Sequence, residues 1–286
     1  MYPDIAFMSD KAPVAGGSGV PMDMTGLLVP ASLPIPTGHR ACGRRHFLSL
    51  GATLALSALA PAGLAGCALF SDDITTGIGE TKTIELPDGS LVELDADSAV
   101  AIDLGERLRK VTLRRGRAAV EISGNDARPF RLHYLTARML ATTKSLNRYD
   151  YVVAQIRDAQ ATLSVIRGAV AMRITNDGPI IYPAAGRKVF FEVDVDRLES
   201  RAAKTGDTSW RKGQLVFEDQ PLGEVIADIG RYRHGSVLSM DAALNTLLFT
   251  GKFAAADTDS ILTAIDTALP VACVELTPLL VMIFPT

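Results

Sequence analysis

The side chains that could support catalysis are few and widely separated in this sequence. The chain has four histidines. His39 and His46 lie in or before an apolar segment, which leaves His133 and His234 about 100 positions apart. No paired-histidine metal motif, no G-x-S-x-G nucleophile turn and no glycine-rich phosphate loop occurs. The sequence therefore predicts no enzyme, no catalytic residue and no cofactor.

A group of aspartates is the only other candidate for a chemical site. Asp88, Asp95, Asp97 and Asp103 come close together in the chain and could suggest calcium. However, they lack the D-x-D-x-D-G spacing of a calcium loop. The basic run "RLRKVTLRRGR" at residues 107–117 fits a solvated face of strands better than a phospholipid or partner patch. We therefore predict no metal site.

Charge and cysteine content exclude further classes. The net charge of −3 provides no overall field that would attract phosphate, so nucleic acid is not an expected partner. Cys42, Cys67 and Cys273 are too scattered for a disulfide framework or a metal cluster. We interpret Cys273, inside "VACVEL", as a small buried strand residue.

One segment is long and apolar enough to enter a membrane. Phe47–Ser71 contains no charged residue, and about 25 residues at ~1.5 Å each exceed a hydrocarbon core of about 30 Å. Arg44 and Arg45 precede it, so the positive-inside rule places the C-terminal bulk outside the cytoplasm. "RRHFL" also resembles a twin-arginine export signal, and "LAGC" resembles a lipobox ending at Cys67. We predict one N-terminal membrane helix at residues 44–71, with a lipidated Cys67 as the alternative.

Short alternating strands dominate residues 74–193, with turns at intervals of about 8 to 12 residues. "PDGS" predicts a hairpin turn, because Pro87 fixes the first turn position, Asp88 caps the turn and Gly89 adopts positive φ. The near absence of helical periodicity predicts an all-β domain, arranged as a stacked solenoid or a sandwich. Residues 1–43 are rich in Pro, Gly and Ser, and we expect them to be disordered.

The pattern changes after residue 193. Residues 194–213 are charged and are predicted to be a linker with a short helix. In residues 214–286, "PLGEVIADIGRYR" repeats apolar residues at helical spacing after Pro221, and "DTDSILTAIDTAL" predicts a second helix. The segments "QLVFED", "SVLSM", "LLFTGKF", "VACVEL" and "LLVMIF" are predicted strands. Residues 214–286 should therefore form a small α+β domain.

Several of these segments together resemble the FecR family of anti-sigma factors, over about residues 75–286. The motifs are "LPDGSLVELDADSAV", "RKVTLRRGRAAVEI", "RPF", "IRGAV" and "WRKGQLVFEDQPLGEVIADIGRY". The C-terminal part is similar to the short N-terminal signalling domain of secretins and TonB-dependent receptors. The chain departs from the family pattern at Thr142, which replaces a glycine, and at Arg117, which replaces an acidic residue. Residues 1–43 also show no helix of the kind that binds a sigma factor.

The resemblance implies a signal relay without catalysis. A TonB-dependent outer-membrane receptor carrying a siderophore-like substrate would present its signalling domain to the periplasmic part of this protein. The signal would then pass through a single-pass span in the inner membrane to an extracytoplasmic-function sigma factor, in control of iron uptake. The alternative is a lipidated periplasmic binding or scaffold protein without sigma-factor contact.

The expected receptor contact combines edge-strand pairing with an apolar patch in residues 214–286. A small βαβ domain leaves strands such as "LLFTGKF" or "LLVMIF" available for pairing. The residues predicted to lie near this interface are Leu215, Phe217, Leu247, Phe249 and Phe253. As alternating strand residues, they could instead form the core of the small domain.

Overall fold

The computed structural model of the protein describes residues 73–141, 149–192 and 198–286. The predicted disordered segment and membrane segment, with Arg44, Arg45 and Cys67, lie outside these ranges. Thr142 lies outside them as well. Within the described ranges, no helix has the length and hydropathy needed to cross a membrane.

The first part of the described chain is built almost entirely of strands, as predicted. They are β1 (Ile74–Thr75), β2 (Lys82–Glu85), β3 (Leu91–Leu94), β4 (Ala99–Leu104), β5 (Arg109–Ser123), β6 (Phe130–Tyr134), β7 (Ala137–Ala141), β8 (Tyr149–Arg157), β9 (Gln160–Arg167), β10 (Val170–Arg173), β11 (Arg187–Glu192) and β12 (Leu198–Ala202). We refer to these strands as the β domain.

The strands of the β domain form one curled sheet in the order β10-β7-β6-β5-β8-β9-β11-β12, with β1 to β4 attached to β5. All of its pairings are antiparallel except β5 with β6. The sheet therefore encloses a core between its own faces and does not form the parallel stack of a solenoid. That core includes Val120, Phe130, Leu163 and Phe191.

Strand β5 belongs to both halves of the curled sheet. Its first half pairs with β4 and β6, and its second half pairs with β3 and β8. Gly116 lies between the two halves with φ of 80°, and a Cβ there would come within 2.3 Å of Ser98 Oγ. Glycine is therefore required at this bend, which lies within one continuous strand.

The predicted hairpin at Pro87-Asp88-Gly89-Ser90 is confirmed. Gly89 has φ of 78°, and the amide of Ser90 donates to Asp88 Oδ1 at 2.9 Å. The amide of Leu86 closes the turn by donating to the carbonyl of Ser90 at 2.8 Å. The turn residues thus fix the register between β2 and β3.

The predicted linker contains regular structure where it is described. Strand β12 extends the sheet by pairing with β11. It is followed by the short helix α1 (Gly206–Ser209) and a single 3-10 turn at Trp210–Lys212. Gly213 ends this turn in a left-handed conformation with φ of 66°.

The remaining residues form an α+β module, as predicted, and we call residues 214–286 the C-terminal module. Its elements are β13 (Gln214–Pro221), α2 (Leu222–Ile229), β14 (Ser236–Ser239), a 3-10 turn (Ala242–Thr246), β15 (Leu248–Ala254), α3 (Thr258–Ala268), β16 (Val271–Thr277) and β17 (Leu280–Pro285). Helix α3 is capped by Asp257, which accepts from the amide of Ser260 at 3.2 Å. Strands β13 and β15 form one sheet, and β14, β17 and β16 form a second.

Candidate partner-binding surface

Three of the five residues predicted to contact a partner lie in the core of the C-terminal module. Leu215, Phe217 and Phe249 are at most 3% exposed. The rings of Phe217 and Phe249 pack against each other with 5.9 Å between centroids. Leu247 and Phe253 are half-buried and pack against the same core. Burial therefore assigns the first three to folding in this conformation, while partner contact by Leu247 and Phe253 stays a prediction.

The two strands predicted to be open for pairing occupy different positions. "LLVMIF" corresponds to β17, which lies between β14 and β16 and is paired on both sides. It cannot accept a further strand, so this expectation was wrong. "LLFTGKF" corresponds to β15, which within the described ranges pairs with β13 alone. Strand β16, at the end of the three-stranded sheet, likewise pairs only with β17 there.

The outer face of the three-stranded sheet is apolar and exposed. Leu238, Met282 and Val274 lie side by side across β14, β17 and β16, since Met282 is in register with both neighbours. Leu238 and Val274 are 49% and 40% exposed. Leu276 and Met240, in or next to the same strands, are also exposed. We call these five residues the apolar sheet face, and contiguous exposed apolar area of this kind typically marks an interaction site.

The sequence of β17 indicates this face, because its residues are apolar on both sides of the strand. In β17, Val281 and Ile283 are buried in the module, while the alternating residues Met282 and Phe284 point to the opposite side. A strand that is apolar at both parities needs cover on both faces. The described part of the module supplies cover on one face only, so the pattern marks the other face for a partner.

The aspartates and the basic run, which the sequence leaves as two separate features, bind each other. Ion pairs join Arg109 to Asp88, Lys110 to Asp103, Arg115 to Asp97 and Arg117 to Asp95. Strand pairing of β3 and β4 with β5 aligns the two segments so that their charges meet. In the described ranges, no group of three or more His, Cys, Asp or Glu side chains could hold a metal ion.

Asp95 occupies the centre of the contact between the β domain and the C-terminal module. It is fully buried, and its Oδ2 accepts from Arg117 Nε at 2.6 Å. From the module, Arg231 Nε approaches the same oxygen at 3.5 Å, and the hydroxyl of Tyr232 donates to Oδ1. Arg231 also donates to Ser98 Oγ at 3.0 Å. We call these five residues the docking contact.

The two arginines of the docking contact are held unequally. Burial alone would lower the pKa of Arg117, but Asp95, Asp228 and Tyr232 together outweigh burial and raise it. Burial and the neighbouring Arg117 cation lower the pKa of Arg231 from its ordinary value. Arg117 also stacks on the ring of Trp210 at 5.3 Å. Arg117 is therefore the firmly held cation, and Arg231 is the more weakly stabilised one.

A second ion pair crosses the same boundary beside α2. Arg157 of β8 donates to Asp228 Oδ1 at 2.9 Å, and Gln220 donates to Oδ2 at 3.2 Å. Burial would raise the pKa of Asp228, but Arg117, Arg157 and Arg231 outweigh burial and hold it below its usual value. Asp228 is therefore ionised in the folded protein at neutral pH.

The segment before the module is fixed to the β domain. Trp210 is buried against Ala119, Tyr151 and Val153 of the sheet. Arg211 donates to Tyr151 Oη at 2.8 Å and to Glu121 Oε1 at 3.1 Å. The last residue before β13 is Gly213, so the chain is anchored up to this glycine and enters the module directly after it.

The remaining candidate residues do not assemble into a site. His133 is half-buried on β6 and His234 is exposed in the loop before β14. Cys273 lies half-buried in strand β16, where burial and the nearby Asp266 raise the pKa of its thiol to about 11. The placement of Cys273 in a strand agrees with the interpretation of its sequence context.

Comparison with known proteins supports the fold described above. A search of curated proteins by sequence found no match. Two crystal structures of a candidate anti-sigma factor from Parabacteroides distasonis ATCC 8503 share the fold, with TM-scores of 0.65 and 0.64 at 17% and 18% identity. Each alignment covers 75% of this chain and 99% of the other. The model of the family described as FecR protein matches residues 72–171. The match agrees with the resemblance seen in the sequence for residues 72–171, which we call the FecR domain.

Proposed function

We propose that this protein is a FecR-like anti-sigma factor that receives a signal from the periplasmic signalling domain of a TonB-dependent outer-membrane receptor. It passes the signal across the inner membrane to an extracytoplasmic-function sigma factor that controls uptake of iron siderophores. Residues 44–71 act as the membrane anchor and residues 214–286 as the receiving domain. The FecR family match and the sequence similarity of the C-terminal part to receptor signalling domains support this assignment.

The observation that carries the proposal is the apolar sheet face. Six of the ten large apolar side chains exposed in the described ranges belong to the C-terminal module, including Leu238, Val274 and Leu276. A protein partner that covers this face buries apolar area and gains affinity from it. Strand β16 borders the face with an open edge, so a partner strand can pair with β16 while its side chains cover Val274 and Leu276.

The binding test uses the full-length protein in detergent micelles and the periplasmic signalling domains of TonB-dependent receptors from the same organism. We expect one receptor domain to bind, and Leu238→Glu to weaken that binding at least 10-fold. Leu198→Glu in β12 is the matched control, because Leu198 is 46% exposed and Leu238 is 49% exposed. Unchanged affinity for Leu238→Glu, or no binding by any receptor domain, would contradict the proposal.

The sigma-factor step needs a separate test, because it depends on residues outside the described ranges. We expect an extracytoplasmic-function sigma factor to co-purify with the full-length protein, and we expect deletion of residues 1–43 to abolish this association. Mass spectrometry that finds a diacylglyceryl group on Cys67 as the mature N-terminus would contradict the transmembrane relay, since no chain would then remain on the cytoplasmic side.

A further inference from the structure

The β domain and the C-terminal module have separate hydrophobic cores. No residue is common to the two core clusters. The contacts that cross between them include ion pairs and hydrogen bonds from Asp95 to Arg231 and Tyr232 and from Arg157 to Asp228. Backbone carbonyls of the module also accept from the amide of Gly79 and from Lys204 Nζ. Polar contacts between domains of this kind permit relative motion more readily than a shared apolar core does.

The boundary is also incompletely filled. A cleft of about 140 Å³ lies between β8, β9 and β11 on one side and β13 and α2 on the other. Its lining includes Arg157 and Lys188 from the sheet and Glu218 and Asp228 from the module. Charged walls of opposite sign attract each other across the cleft, but they leave space that a permanent core would fill.

The charges of the docking contact are balanced by Asp95 alone on the side of the β domain. Arg117 and Arg231 are both buried, and both approach Asp95 Oδ2. If the carboxylate were neutral, two buried cations would face each other, and Asp228 of the module would be left as the carboxylate that interacts with both. Arg117 is held by the ring of Trp210, so departure of Arg231 together with the module relieves the repulsion.

We propose that the C-terminal module is a releasable unit, and that Asp95 holds it in a docked state from which it separates by rotation at Gly213. The segment up to Lys212 stays on the β domain through Trp210 and Arg211, while residues 214–286 move as one body. This device does not depend on the identity of any partner. Its failure would leave the proposed receptor contact untouched.

The docking contact lies close to the apolar sheet face along the chain. Strand β14, which carries Leu238, begins four residues after Tyr232. A partner that covers Leu238 therefore touches the strand that continues directly from the docking contact. If the proposed receptor contact is correct, a partner that prefers one position of residues 233–235, which join Tyr232 to β14, shifts the balance between docked and released states.

One amide reports docking directly. The N–H of Gly79 in the β domain donates to the carbonyl of Arg231 in the module at 2.9 Å. Release of the module exposes this amide to water, whereas the amide of Leu86 stays bonded inside its own hairpin. Hydrogen exchange at the two positions therefore separates release of the module from unfolding of the β domain.

The experiment is hydrogen exchange with mass spectrometry on the full-length protein in detergent micelles. We expect Asp95→Asn to accelerate exchange at Gly79 and at residues 229–234 at least 10-fold, with unchanged exchange at Leu86. The matched control is Asp88→Asn, which removes a buried Asp–Arg pair inside the β domain. In this variant the ratio of the exchange rate at Gly79 to that at Leu86 should not increase.

Two outcomes would overturn the proposal. One is unchanged exchange at Gly79 in Asp95→Asn, and the other is uniform acceleration through both the β domain and the module. If Asp95→Asn fails to fold, Tyr232→Phe decides the question with the same readout, because it removes only the hydroxyl bond to Asp95. We expect at least a 3-fold acceleration at Gly79 for this variant, and equal exchange to wild type would overturn the proposal.

Discussion

Two buried Asp–Arg pairs flank strand β3, and they serve different purposes. Asp88, just before the strand, pairs with Arg109 at 2.6 Å, and Arg109 lies over the ring of Phe130 at 5.4 Å. Asp95, just after the strand, pairs with Arg117, which lies over Trp210 at 5.3 Å. The chemistry of the two sites is the same, but all of the Asp88 partners come from the FecR domain.

The two aspartates differ in the sequence separation between each aspartate and the residues that it contacts. Arg109 also donates to the carbonyls of Ser123 and Arg128, so the Asp88 site closes a loop of the FecR domain upon itself. Asp95 reaches Tyr232, which is 137 residues away. An ion pair with near neighbours stabilises one domain, whereas the same pair with distant neighbours sets the position of a second domain. Burial of a charge pair therefore does not by itself reveal whether the pair stabilises one domain or positions a second.

The largest expected effect in this comparison is that of Asp88→Asn on the free energy of unfolding. Loss of the carboxylate leaves Arg109 buried without its counter-charge, which typically costs about 3–5 kcal/mol. Urea denaturation should show this loss for the whole FecR domain. Asp103→Asn is the control, because the Asp103 pair with Lys110 is exposed and its removal should cost less than about 0.5 kcal/mol. Equal effects for the two variants would contradict the assignment of Asp88 to the core of the FecR domain.

Tyr232→Phe should have an intermediate effect that is confined to docking. The variant removes one hydrogen bond to a buried carboxylate, and such bonds contribute about 1.5–3 kcal/mol. We expect the stability of the FecR domain in urea to stay at the wild-type value, while the module becomes more susceptible to proteolysis near Gly213. Destabilisation of the FecR domain by the full amount would show that the two regions form one cooperative unit.

Acidification should produce a smaller change, at the Asp126–Arg128 pair beside the Asp88 site. The hydrogen bond from Arg128 lowers the pKa of Asp126 from its ordinary 3.8 to about 2. A carboxyl with a lowered pKa in the folded state adds stability above its unfolded pKa, and this stability is lost as the pH falls from about 4 towards 2. The Asp126–Arg128 pair is partly solvated, so we expect the free energy of unfolding to fall by less than about 1 kcal/mol. Melting curves of wild type and Asp126→Asn should converge over this interval, and constant separation would contradict the assignment.

The smallest expected effect is that of Asp95→Asn on the reactivity of Cys273, which should not change. Cys273 lies within the sheet of the module, and a pKa of about 11 makes its thiolate roughly 100-fold scarcer than that of a thiol with a pKa of 9. Alkylation at pH 8, followed by peptide mass spectrometry, should therefore be equally slow in both proteins. Fast alkylation in Asp95→Asn would show that the module unfolds instead of separating intact.

Local elements of the fold could be predicted from the sequence because their causes are local. The turn at Pro87-Asp88-Gly89-Ser90 and the start of helix α2 after Pro221 depend on residues that are adjacent in the chain. The strands of the C-terminal module were predicted for the same reason. The sequence did not predict that β5 belongs to both halves of the sheet. Gly116 indicates the bend only once Ser98 is known to lie beside it.

The docking contact and the apolar sheet face could not be predicted as such. Asp95, Arg231 and Tyr232 come together only through the packing of two domains, and their spacing in the sequence does not predict this contact. One trace was present, since Arg117 departs from the acidic residue expected in the FecR pattern. The choice of Leu215, Phe217 and Phe249 for the interface rested on strand alternation, which alone does not tell which side of a small sheet is covered, and these three side chains are buried in the module.

Calorimetry of the full-length protein and its two aspartate variants can show directly whether the two buried pairs serve different purposes. Wild type should unfold in one transition, and Asp88→Asn should shift that transition to lower temperature without dividing it. Asp95→Asn should divide it into two, because the module then separates from the β domain before the FecR domain unfolds. A single transition for Asp95→Asn, displaced like that of Asp88→Asn, would contradict the claim that the two buried pairs serve different purposes.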